Sequence, residues 1–348
     1  MSDNEPYIDI IIPNWNGKDL LADCLVSIGR QSYWKYTITV VDNGSVDGSV
    51  ELLRERFPEV HVISFSHNRG FSVAVNAGIT LGNNPLIFLL NNDTELATDC
   101  LEKLVSASRK YDDAFFAPKM LSFNERDVLD GAGDGFLRGG VGYRLGTMEK
   151  DGPVYNKPGQ VFGTCGGAAF YRRSLLDNIG LFDEYFFAYL EDVDLNFRAN
   201  RAGFTCRYVP EAWVYHVGSA TTGSKINPFT VQLSTRNNLF LLVKNYPASL
   251  FFRFLPAICI YQFFWFLFII KKRQIWGYLS GIAGFFRGLP SILKKRKHVQ
   301  STPGGIPYKE LAERILKAEL DVVNSIMCRR ESQGKGNSLL QMYVKIFL

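Results

Sequence analysis

The sequence of 348 residues predicts an α/β fold, a mostly parallel sheet flanked by helices. Three observations carry that prediction. Short apolar runs rich in β-branched residues lack polar alternation, as strands buried on both faces do. Stretches with helical periodicity separate them at the spacing of βαβ units. A cluster of Asn and Asp follows each of the first four strands, where open α/β sheets bind ligands beyond their carboxyl ends.

The elements follow in order. A strand over 9–13 stops at Pro13, Asn14 and Asn16, and Leu20, Leu21, Cys24, Leu25 and Ile28 then repeat with helical spacing. A second strand over 36–41 ends in Asp42 and Asn43, and Val50, Leu53 and Phe57 mark the next helix. The third strand, 60–65, leads through Asn68 and Gly70 into a helix containing Asn76. The fourth, 85–90, ends in Asn91, Asn92 and Asp93. No G-x-G-x-x-G follows the first strand, which counts against a dinucleotide fold, and no Lys-bearing phosphate loop supports nucleotidyl transfer. Residues 122–159 are rich in Gly and charge with weak periodicity, and are read as irregular hairpin and loop, a natural place for acceptor contacts.

The chemistry concentrates in residues 163–218. Gly166 and Gly167 permit close approach of backbone to ligand. Aromatic residues crowd Asp183, Glu184, Glu191, Asp192 and Asp194. A helix begins at Glu191 and Asp192, carries Val193, Phe197 and Arg201 on one stripe, and stops at Gly203. Its dipole favours ionised carboxylates at that end. An ionised Asp beside an aromatic-walled pocket suits a general base, although acids there also serve as plain caps. Short strands over 205–209 and 213–215 follow, the second delivering His216 into a polar turn.

Charge divides the chain. Residues 212–309 contain no Asp or Glu and thirteen of the 39 Lys and Arg, leaving 26 basic against 34 acidic residues elsewhere. That split suggests an acidic catalytic body and a basic, hydrophobic tail. The tail has an uncharged run over 254–270, flanked by Arg253 and Lys271, then an apolar stretch over 275–293 ending in a basic cluster at 294–297. Two readings stay open: helices in or on a membrane with an anionic leaflet, or buried helices of a soluble domain or dimer contact. Basic clusters at both ends favour a re-entrant or in-plane pair over a single crossing. An amphipathic helix over 310–327 precedes a mobile end. Nothing resembles a nucleic-acid module. The six cysteines show no paired spacing, which argues against a zinc site or disulfide framework. With no signal-peptide core at the N-terminus, the catalytic body is expected in the cytosol.

Five stretches then carry a resemblance: VDNGSVDGS (41–49), NRGFSVAVNAG (68–78), LLNNDT (89–94), GLFDEYFFAYLEDVDL (180–195) and AWVYHVG (212–218). In this order they resemble the family 2 glycosyltransferases with the GT-A nucleotide-diphospho-sugar transferase fold, and within them a rhamnosyltransferase-like branch. The resemblance spans about residues 7–246 and implies a catalytic domain over 1–246, membrane-associating helices over 247–300 and a C-terminal helix and tail over 301–348. It implies that Asp42 contacts the nucleotide base with help from Pro13, Asn14 and Asn16, and that Asn68, Gly70 and Asn76 line the nucleotide pocket. Asn92 and Asp93 belong to the D-x-D segment, in which Asn91 replaces the first acid. Asp93 is implied as the ligand of Mg2+ or Mn2+, His216 as its completing ligand, and Asp192, with Glu191 beside it, as the catalytic base. Base strength at Asp192 is expected to depend on desolvation by Phe186, Phe187 and Tyr189. Processive members carry Q-x-x-R-W. Here Gln232, Arg236 and Asn237 depart from that spacing, so single-sugar addition is expected, with Arg236 a candidate diphosphate contact. The implied donor is a dTDP- or UDP-sugar, with dTDP-L-rhamnose favoured, and the acceptor a polyprenyl-diphosphate-linked glycan at the cytoplasmic face of the membrane. The rival reading is an inactive nucleotide-sugar-binding scaffold.

Overall fold

The computed structural model describes residues 5–218, 226–301 and 305–348. The first half alternates as the sequence predicts: β1 (Ile8–Asn14), α1 (Lys18–Gly29), β2 (Tyr36–Asp42), α2 (Ser49–Arg56), β3 (His61–Ser64), α3 (Phe71–Leu81) and β4 (Leu86–Leu90). Next come β5 (Thr94–Leu96), α4 (Cys100–Lys110) and β6 (Phe115–Ser122). The irregular region holds β7 (Leu129–Gly131), β8 (Asp134–Leu137), β9 (Val141–Arg144) and β10 (Gly159–Val161). It is followed by β11 (Ala168–Arg172), α5 (Arg173–Ile179), α6 (Glu191–Arg201) and β12 (Cys206–His216). The tail is α7 (Pro228–Asn245), α8 (Ala248–Lys271), α9 (Ile275–Ser301), α10 (Tyr308–Ser332) and α11 (Ser338–Phe347).

The main sheet runs β10-β12-β6-β11-β4-β1-β2-β3. Its β3-β2-β1-β4 half is parallel, with Ile10 opposite both Ile38 and Phe88. β11 lies antiparallel between β4 and β6, and β6 and β12 pair in parallel. Alternate residues of β1 feed opposite cores, as the pleat requires. Ile10 and Ile12 face Leu21, Leu25 and Ile28 of α1, whereas Ile11 faces Val75 and Ile79 of α3. All these side chains are buried, and each full burial stabilises by roughly 1.5–3 kcal/mol.

Three local expectations change. The strands expected over 205–209 and 213–215 are one strand, β12, with an irregular register between Val209 and Trp213. The region expected as irregular hairpin and loop holds the hairpin β8–β9, which is packed into the core. Phe136 is wholly buried, stacked on Phe162 with centroids 4.7 Å apart. The end of the chain, expected to be mobile, forms α11, where the Tyr343 hydroxyl donates to Glu319 (2.5 Å).

A third core joins Phe136, Phe162 and Phe197 to Phe240, Tyr246, Phe254, Phe285 and Ile315. The hairpin, α6 and the tail helices therefore share one apolar interior. α9 lies close along α7 because Gly277, Gly281 and Gly288 leave room. A Cβ at Gly277 would come 2.7 Å from the Pro228 carbonyl oxygen, and one at Gly288 2.6 Å from Phe240.

Candidate active site

The carboxyl ends of β1, β2 and β4 bring the polar clusters together. Asn92 Nδ2 donates to Asn14 Oδ1 (2.7 Å), and Asn14 Nδ2 donates to Asp42 Oδ1 (3.1 Å). Asn43 Nδ2 donates to Asn68 Oδ1 and to the Gly70 carbonyl, both at 3.1 Å. These bonds fix one wall of a cleft of about 380 Å³. Pro13, Asn14, Asn68, Asn92, Asp93, Glu191, Asp192 and His216 all line it, with Trp15, Asn91, Phe187, Tyr189 and Phe229 adding to its walls.

Five expected residues stand outside that lining. Both oxygens of Asp42 are taken, by Asn14 and by the Ser45 backbone N–H (3.0 Å). Asn16 Oδ1 accepts from the Val46 N–H (2.9 Å). Gly70 has φ of +93°, and a Cβ there would lie 2.6 Å from the Phe187 ring, so its role is to let that ring sit in the wall. Asn76 is no pocket residue. Its Nδ2 donates to the Phe182 carbonyl (2.8 Å) and its Oδ1 accepts from the Phe182 N–H (3.1 Å), tying α3 to the segment before α6. Arg236, expected on a diphosphate, instead donates to the carbonyl of Phe186 (2.8 Å). Phe186 points into the core, so of the three aromatics expected around Asp192 only Phe187 and Tyr189 reach the cleft.

The segment before α6 is strained. Phe187, Tyr189 and Leu190 have φ of 66°, 68° and 66°, a region that side-chain-bearing residues seldom occupy. This turn presents Glu191 and Asp192 to the cleft. Asp192 Oδ2 accepts from the Gly166 N–H (2.9 Å). Glu191 departs from expectation. Burial, then repulsion from Asp192, pushes its carboxyl up to about 8 despite the helix dipole. Its Oε2 has no hydrogen-bond partner among the described residues. Burial and Asp192 also push Asp134 up to about 7. The other acids of the run are structural. Lys244 Nζ lies 2.7 Å from Asp183 and 2.8 Å from Asp194.

Across the cleft, His216 Nε2 lies 3.3 Å from Asp93 Oδ1, and its Nδ1 lies 2.8 Å from Asp130 Oδ2. Burial opposes its protonation, but Asp130 and Asp93 overcome that and raise it to about 9. Asp93 Oδ1 and His216 Nε2 thus face each other as a pair, with Asp130 fixing the imidazole from behind, and an ion bound there would take the place of the Nε2 proton. Among the described residues no three His, Cys, Asp or Glu side chains form a site for an ion. This donor pair fits a divalent ion shared with a diphosphate and water, not one enclosed by protein. Sequence reasoning missed Asp130 and Arg144. Arg144 lines the cleft and is ion-paired with Asp130. Both sit in the weakly periodic hairpin region, where only an Asp or Arg without context could have signalled them.

The Glycosyl transferase family 2 model matches residues 9–180. Residues 9–180 form a glycosyltransferase family 2 domain. This glycosyltransferase is 27% identical over 224 residues to the N-acetylglucosaminyl-diphospho-decaprenol L-rhamnosyltransferase of Mycobacterium tuberculosis, covering 57% of this chain and 72% of that one. It is 29% identical to an N-acetylglucosaminyltransferase of Rhizobium meliloti, covering 60% of this chain but half the length of the relative. Among solved structures it is similar to the mannosyltransferase PcManGT of Pyrobaculum calidifontis in complex with GDP-Man and Mn2+. The TM-score is 0.51 at 15% identity, covering 93% of this chain and 88% of the other. The GT-A fold expected from the sequence is thereby borne out, as is its reading as a glycosyltransferase.

Proposed function

We propose that this enzyme is an inverting transferase that moves a single sugar from a nucleotide donor to a polyprenyl-diphosphate-linked glycan at the cytoplasmic face of a membrane. The observation that carries the reading is the convergence, in one cleft, of the Asp192 carboxylate and the Asp93–His216 pair. The donor's nucleotide lies along the Asn14, Asn43 and Asn68 wall, and its diphosphate reaches Asp93 and His216. A divalent ion, Mn2+ or Mg2+, held there would neutralise charge on the departing diphosphate. His216 as a ligand favours Mn2+, which PcManGT also holds.

Asp192 takes the proton from an acceptor hydroxyl as that oxygen attacks the anomeric carbon opposite the leaving group. The C–O bond to the diphosphate breaks with its electron pair, and the configuration inverts. Phe187 and Tyr189 line the cleft beside Asp192 and wall the face from which the acceptor approaches. Burial and the Asp192 charge push the Glu191 carboxyl up, which favours Asp192 over it as the base. The mycobacterial relative supports a lipid-linked acceptor and dTDP-L-rhamnose as the first donor to test, with UDP-sugars as the comparison.

Thermal stabilisation by a panel of nucleoside diphosphates and nucleotide sugars, with and without Mn2+, tests the donor site. A metal-dependent shift with one donor, followed by transfer from that donor to a synthetic prenyl-diphosphate sugar, is the expected result. No shift with any donor, in folded protein, refutes the reading.

A further inference from the structure

Helix α8 is apolar on the side that packs and apolar on the side that does not. Leu250, Phe254, Ala257, Ile258 and Ile269 are buried against the body. On the same side Gln262 donates to Asn238 (2.6 Å) and Trp265 to Thr235 (3.0 Å). The opposite side exposes Phe252, Leu255, Phe263, Phe264, Leu267 and Ile270, where a helix facing water carries polar residues. Trp276 and Leu279 extend this surface onto α9. An apolar patch this continuous marks an interaction site.

By length and composition α8 is able to cross a membrane. Its attachments argue otherwise. It begins three residues after α7 ends, and the helix that follows it starts beside the beginning of α7, with Gly277 against Pro228. Both ends of α8 are thus tied to the two ends of one helix of the catalytic body. A crossing would pull α7 and its polar neighbours into hydrocarbon, which their unsatisfied groups oppose.

Charge identifies the occupant. The turn between α8 and α9 exposes Lys271, Lys272 and Arg273, in a region of sequence with no acid to balance them. The second basic cluster is half engaged within the fold, with Lys294 and Lys297 exposed. Lys295 pairs with Asp183, and Arg296 donates to the carbonyls of Val243 and Tyr246 (2.5 and 2.7 Å). A second copy of this chain would bring the cationic turns together, whereas an anionic leaflet attracts them. We propose that the outward face of α8 and the start of α9 lie in the plane of one anionic leaflet, with Lys271, Lys272 and Arg273 at headgroup depth. Phe229, next to Pro228, lines the cleft. Gly277 lies in the first turn of α9, four residues beyond Arg273, so the docked turn holds the cleft mouth near the headgroup layer. There a lipid diphosphate presents its sugar. The inference rests on the lipid-linked reading above and adds the docking face and its orientation.

The test uses the full chain without donor, floated with vesicles of phosphatidylcholine alone or mixed with phosphatidylglycerol. Binding to the anionic vesicles only, weakened by salt, is the expected result. Lys271→Gln with Lys272→Gln is expected to reduce partitioning about 25-fold, near five-fold per cation, and Phe263→Ser with Leu267→Ser to abolish it. A polarity-sensitive dye on Cys259, which is exposed on the same face, is expected to shift to the blue on anionic vesicles, in a Cys328→Ser background. Transfer to a water-soluble acceptor is expected to survive all these changes, and its loss in the unaltered chain would count against the proposed reaction instead of the docking face. A folded chain that does not float, that binds neutral vesicles equally, that buries Cys259 in a dimer, or whose Cys259 an impermeant reagent reaches from the far side overturns the inference.

Discussion

The Asn237 amide nitrogen lies 2.7 Å from the carbonyl oxygen of Tyr189, and it also reaches the carbonyls of Phe186 (3.0 Å) and Ala188 (2.9 Å). One wholly buried side chain therefore holds the left-handed turn that delivers Asp192. Strain of this kind persists only where its surroundings over-determine it. Asn237→Leu keeps the approximate shape and removes the donor. It is expected to cost roughly 1–3 kcal/mol of stability and to lower kcat while leaving nucleotide affinity near its original value. Equal losses in both, measured by steady-state kinetics and nucleotide titration, would show that the turn does not act through Asp192.

Asp192→Asn removes the proposed base while preserving the acceptor that binds the Gly166 N–H. Transfer is expected to fall roughly a hundred- to ten-thousand-fold, with donor binding, measured by calorimetry, largely unchanged. A folded variant that loses donor binding would assign Asp192 to the nucleotide site instead.

The parallel half of the sheet was legible because β1, β2 and β4 are largely buried and their runs are dominated by apolar and β-branched residues. Asp93, Asp192 and His216 were legible through the motifs around them, and the cleft does bring these three together. Motifs alone did not separate residues that face a ligand from residues that hold backbone. Asn76 and Arg236 belong to such stretches, yet both spend their hydrogen bonds on carbonyls of the turn before α6. Asp130 and Arg144 were hidden because β7 and β9 are too short to show a period. The neutral state of Glu191 depends on burial by segments distant in sequence, against a local helix dipole that favours the opposite.

Asp130 touches no cleft surface in this arrangement but sets the direction of the His216 ring. Asp130→Asn is expected to weaken Mn2+ affinity 10- to 100-fold, the usual cost of losing such an orienting carboxylate. Titration of Mn2+ in the presence of a nucleoside diphosphate measures it. Unchanged affinity, beside a loss for His216→Ala, would place the orienting role elsewhere.

Glu191 predicts a pH dependence of stability with a definite sign. Its ordinary value of 4.5 rises to about 8 in the fold. The folded state thus keeps a proton that the unfolded chain has released, and stability present below pH 4.5 is lost as pH climbs toward 8. The full effect is on the order of 5 kcal/mol. Glu191→Gln is neutral throughout and is expected to flatten the upper part of the profile, leaving the smaller slope that Asp134, raised to about 7, produces below it. Chemical denaturation at intervals from pH 5 to 9 makes the comparison. Parallel profiles for the two proteins would mean that Glu191 is ionised in the fold, and that it, not only Asp192, is available as a base.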